Sequence, residues 1–71
     1  LPYQQKEIIY YLQKNERSYL IRNGITSAMF FREEQTFVHY LSVGSLLHKG
    51  LIYKEENGKH YLTQQGKNYL L

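Results

Sequence analysis

The sequence predicts a small α+β domain, with a three-helix core and a C-terminal two-stranded hairpin. Three observations carry that prediction. Gln4 to Lys14 consists of good helix formers, with Ile8, Ile9 and Leu12 recurring on one side. A second helical run, Thr36 to Lys49, stops at Gly50, a residue free to adopt the left-handed conformation that closes a helix. Asn57-Gly58 separates two strand-like runs and is the favoured pair for a two-residue type I′ hairpin turn.

The elements follow in order. Pro2 suits an early helical position, and helix one ends near Asn15. Arg17 to Arg22, with Tyr19, Leu20 and Ile21, favours a short strand, and Asn23-Gly24 marks a turn. Thr26 or Ser27 is expected to cap a short second helix whose apolar body is Ala28, Met29, Phe30 and Phe31. Arg32 to Gln35 is a polar bridge, and Thr36 caps the third helix, which is the longest expected. Leu51 to Glu56 and Lys59 to Thr63 then form the hairpin. A last turn or two, Gln64 to Leu71, interrupted by Gly66, would pack Tyr69 and Leu70 on the body.

Composition narrows the function classes. The 71 residues bound the chain to one domain spanning 1–71, short enough that its core must be efficient. With no cysteine there are no disulfides and no thiolate zinc site, the ordinary profile of a cytoplasmic protein. Apolar runs such as Leu51-Ile52-Tyr53 fall far short of the ~20 residues of a membrane span, and no secretory signal is visible. Nine Lys or Arg against six Glu leave a net charge of +3, which permits a nucleic-acid partner without requiring one. The excess leans to the C-terminal half, where residues 36 to 71 hold four basic and two acidic side chains.

No catalytic or metal site is expected. Without Asp a triad would have to recruit a Glu, and the glutamates cluster in pairs that read as exposed. On one helix His39 and His48 would lie about 180 degrees apart, which argues against a shared ion there. The glycines stand singly, so there is no phosphate-cradling loop. Neither an enzyme nor a cofactor is therefore anticipated.

The segments Leu46-Leu47-His48-Lys49-Gly50-Leu51-Ile52 and Tyr61-Leu62-Thr63-Gln64-Gln65-Gly66-Lys67-Asn68-Tyr69-Leu70 resemble the winged helix-turn-helix family of bacterial, archaeal and viral regulators. The resemblance covers roughly residues 36 to 71, and the first half only by order of elements. It implies a fold in which the third helix, about 36–49, enters the major groove of duplex DNA while the wing, 51–63, lies on the backbone. It further implies a cytoplasmic transcriptional regulator.

The residue types at those places suit the task. No acidic residue occurs between Gln35 and Lys49. Gln35, Thr36, His39, Ser42, Ser45 and Lys49 can bond base edges, and Val38 can touch a thymine methyl. On the wing, Lys54, Lys59 and His60 suit phosphate contacts. Two registers are open for the helix. The wheel turns Tyr40, Val43 and Leu47 inward and Val38, Ser42, Ser45 and Lys49 outward, and it is the preferred one; the family register instead turns Leu41 outward. Glu33 and Glu34 near the helix start, with Glu55 and Glu56 beside the wing tip, oppose phosphate binding. The alternative function is a protein-interaction module docking through Phe37, Val38 and Leu41. A homodimer, formed through Tyr3, Tyr10 and Tyr11 on helix one, or a neighbouring domain of a longer chain completes the partners considered.

Overall fold

The computed structural model describes the backbone of residues 1–14, 19–23, 26–31 and 34–71, and the side chains of 1–14, 19–21 and 37–71. The element order is α1 (Tyr3–Lys14), β1 (Tyr19–Asn23), β2 (Thr26–Phe31), β3 (Glu34–His39), α2 (Tyr40–His48), β4 (Ile52–Lys54), β5 (Lys59–Leu62) and α3 (Gln64–Lys67). The fold is α+β. All five strands join one antiparallel sheet in the order β3-β2-β1-β5-β4.

The middle of the chain departs from the sequence expectation. Residues 26–31, expected as the second helix, form β2, and the third helix begins at Tyr40 rather than Thr36 because 34–39 are β3. Two physical factors favour the strands. Each run is about six residues, too short to hold a helix by propensity, and Thr26, Phe30, Phe31, Thr36, Phe37 and Val38 are β-branched or aromatic. The two runs then pair with each other along their full length, from Thr26 opposite His39 to Phe31 opposite Glu34. The Asn23-Gly24 turn expected before them lies partly outside the described residues, although Asn23 pairs with Thr26 across it.

One apolar core lies between the helices and one face of the sheet. Ile8, Ile9 and Leu12 of α1 meet Val43 and Leu46 of α2, and both rows pack on Leu20, Val38, Ile52 and Leu62 of the strands, with Leu51 between them. Burying side chains of this size contributes roughly 1.5–3 kcal/mol each relative to leaving them in water. Strand alternation puts Tyr19, Tyr53, Lys59 and Tyr61 on the opposite face, away from the described helices.

Helix α1 is tied to the rest of the chain by glutamines. Gln4 Oε1 accepts from the His39 backbone N–H (3.0 Å) and the Ser42 hydroxyl (2.8 Å). The Lys49 ammonium donates to Oε1 of the buried Gln5 (2.8 Å). Gln13 Nε2 donates to the carbonyls of Gly66 (3.1 Å) and Tyr69 (2.9 Å), which end the chain's last helical turn.

The end of α2 is a Schellman closure. Leu51 N donates to Leu46 O and Gly50 N to Leu47 O, with Gly50 at φ 74°, a conformation open to glycine. This turn is stitched to the start of α3. The Thr63 hydroxyl donates to Gly50 O (2.7 Å) and accepts from Gly66 N (3.1 Å), while Thr63 N donates to Leu51 O (3.0 Å). Gly66 is buried within α3 rather than breaking it, because a Cβ there would overlap the Leu51 carbonyl. Past α3, Tyr69 packs partly on the core as expected, but Leu70 is exposed.

The hairpin loop is one residue longer than the Asn57-Gly58 pair implies. Lys54 pairs with His60, Glu55 N donates to Lys59 O, and Gly58 N donates to Glu55 O, leaving Glu56, Asn57 and Gly58 in the loop. Gly58 takes the left-handed conformation (φ 85°) that three-residue hairpin loops place last.

The Gly66 contact yields a direct test. Gly66→Ala should cost about 1–3 kcal/mol through overpacking against backbone that cannot yield, read by urea unfolding. Gly44→Ala, on an open helix surface, should be neutral or stabilising.

Candidate nucleic-acid interface

Helix α2 and the β4–β5 hairpin are consecutive, separated only by the closure at Lys49-Gly50-Leu51. His39 caps α2 by accepting the Leu41 backbone N–H on Nδ1 (3.2 Å), and its ring stacks on Tyr40 at 4.7 Å. An imidazole thus takes the role expected of Thr36. Val43 and Leu46 turn into the core, and Leu41, 64% exposed, faces outward. Leu41 is thus outward, as in the alternative register, and the preferred wheel, with Tyr40 and Leu47 inward, does not hold. Tyr40 and Leu47 flank the buried pair instead of forming it, since both remain exposed.

This register sorts the expected base readers. Gln35 and Thr36 stand on β3, not on a helix, and their side chains lie outside the described residues. Val38 is on the same strand and only 3% exposed, so it is a core residue and cannot meet a thymine methyl. His39 is exposed, but at the strand-to-helix junction. Ser42 is half-buried and its hydroxyl is committed to Gln4, so it positions α1 rather than facing outward. Ser45 is half-buried and Lys49 exposed, with the Lys49 ammonium on Gln5. Exposed Leu41, Gly44 and His48 complete the outer row of α2. His48, read from the sequence as an end-of-helix residue, therefore joins the candidate surface.

The hairpin divides its cations in the same way. Lys54 is exposed at the end of β4, and Lys59, half-buried, holds its ammonium 4.4 Å from the Tyr19 ring centroid. His60 is only 2% exposed, with Nδ1 3.2 Å from the Leu20 carbonyl. A carbonyl only accepts, so the proton sits on Nδ1 and the ring serves the sheet rather than a phosphate. Strand alternation accounts for this, because His60 shares its face with Leu62 and Leu20. Glu55 and Glu56 are exposed around the tip, beside Lys54 and Asn57.

Sequence reading missed the tyrosine row on the outer sheet face. Tyr53 pairs directly with Tyr61, their centroids 6.0 Å apart, and Tyr61 lies 6.2 Å from Tyr19 on the next strand. Its signal was the period of two, with Tyr19, Tyr53 and Tyr61 each adjacent to a buried aliphatic residue, Leu20, Ile52 or Leu62.

Because Gln4 accepts both the His39 N–H and the Ser42 hydroxyl, Gln4→Ala should destabilise the fold by about 0.5–1.5 kcal/mol. Amide exchange should quicken first at His39. Comparison with family models, with curated proteins and with solved structures gives no match.

Proposed function

We propose that this protein binds duplex DNA in the winged-helix manner, as a regulator of transcription, with α2 as the reading helix and the β4–β5 hairpin as the wing. The observation that carries the reading is the continuity of the two parts. Helix α2, Tyr40–His48, holds no acidic residue and runs through one locked turn into a hairpin bearing Lys54 and Lys59. Phosphate contact supplies most of the affinity of such domains, so a helix free of acidic side chains followed by a lysine-bearing hairpin suits the task. Ser45, His48 and Lys49 are the side chains that can donate to or accept from base edges. Glu55 and Glu56 stand beside Lys54 at the tip and oppose phosphate there. The strands β2 and β3 occupy the place of the family's second helix, so α2 takes its angle from α1 and the sheet.

A second reading, docking on another protein, is favoured by one specific observation. Phe37, Tyr40 and Leu41 are all exposed apolar side chains where β3 runs into α2.

A two-dimensional NMR titration with a random-sequence duplex, at low and then moderate salt, tests the first reading. Shifts should centre on residues 41–49 and 54–59 and fade as salt rises. Lys54→Ala and Lys59→Ala should each weaken binding to every duplex and lower the salt slope by about one. Ser45→Ala or His48→Ala should instead change which site is preferred. An unchanged spectrum at low salt would remove the duplex reading and leave protein docking.

A further inference from the structure

The helices all pack on one face of the sheet, and the duplex reading uses α2 and the hairpin's exposed cations. Neither accounts for the other face. There Tyr53, Tyr61 and Tyr19 stand in one row across three neighbouring strands, with centroid spacings of 6.0 and 6.2 Å. Tyr53, at the sheet edge, is 43% exposed. Cross-strand aromatic pairs stabilise sheets, and that accounts for the rings touching. It does not account for placing three tyrosines, Tyr53 exposed and Tyr19 and Tyr61 half-buried, on the side away from the described helices while Leu20, Ile52 and Leu62 fill the other.

We infer that this row is a stacking surface for single-stranded nucleic acid, on a different face from α2 and sharing Lys59 with the duplex reading. Aromatic side chains on a sheet accept bases of any sequence by their π faces, provided a cation is near to hold the backbone. Lys59 supplies that cation. Its ammonium lies over the Tyr19 ring, at the β1 end of the row, so the bases are left Tyr61 and Tyr53. The net charge of +3 favours approach of a polyanion. The face continues toward β3. Lys59 pairs with Ile21, Ile21 with Ala28 and Ala28 with Phe37, whose exposed ring lies on the side opposite the buried Val38. One group opposes the ligand. Glu55 follows Tyr53 by two residues on β4's continuation, and its N–H bonds the Lys59 carbonyl, so its carboxylate stands near the only lysine of the row.

The probe is a fluorescein-labelled oligothymidylate of about ten nucleotides, within the site size of small stacking domains, followed by anisotropy. The intact protein should bind it at low salt, and Tyr53→Ala should weaken binding between about five-fold and a hundred-fold. Tyr53→Phe, which keeps the ring and its packing, should bind as the parent does. Glu55→Gln, an exposed change with no packing consequence, should tighten binding. Tyr53→Ala should lower oligothymidylate affinity more than duplex affinity, whereas His48→Ala should leave oligothymidylate affinity unchanged, so either surface can fail alone. Absence of binding at low salt, or binding indifferent to both Tyr53→Ala and Glu55→Gln, would overturn the inference.

Discussion

The structure depends on one close crossing, where the turn leaving α2 meets the start of α3. Gly50 must be left-handed to end the helix, Leu51 must present its carbonyl to Thr63, and Gly66 must lack a side chain for that carbonyl to fit. Thr63 joins all three with one hydroxyl and one amide. The result fixes the exit direction of α2 and both ends of the hairpin within a few residues. It also gives the two resembling segments, Lys-Gly-Leu-Ile and Leu-Thr-x-x-Gly, a single physical meaning. They are the two halves of one contact.

Legibility in the sequence follows how local each determinant is. Helix α1, the closure at Gly50, the two hairpin strands and a last helical turn after them were readable because neighbouring residues decide them. The segment from Thr26 to His39 was not, since its two short apolar runs suit either helix or strand until they meet each other. Missing that pairing shifted the start of α2 by four residues, from Thr36 to Tyr40. The site estimates inherited the shift, so Val38 was assigned to a groove it cannot reach.

Smaller errors had the same origin. Ser42 and His60 are polar residues that looked available because nothing near them in sequence could claim them. Their partners, Gln4 and the Leu20 carbonyl, lie 38 and 40 residues away. A polar side chain in a strand of alternating pattern takes its face from the alternation and then finds a hydrogen bond there. The outer tyrosine row follows from the same alternation read for the opposite face.

The glutamines of α1 carry a further consequence. Gln4, Gln5 and Gln13 bind the first helix to the junction of β3 and α2, to the end of α2 and to the C-terminal carbonyls, and none of the three ionises. Most of these cross-links join neutral partners, so the attachment of α1 is largely insensitive to ionic strength and acidity. The exposed lysines obey the opposite rule, since their interactions weaken as salt rises. The molecule thus separates a frame joined mainly through neutral groups from a surface whose charges the surrounding electrolyte screens.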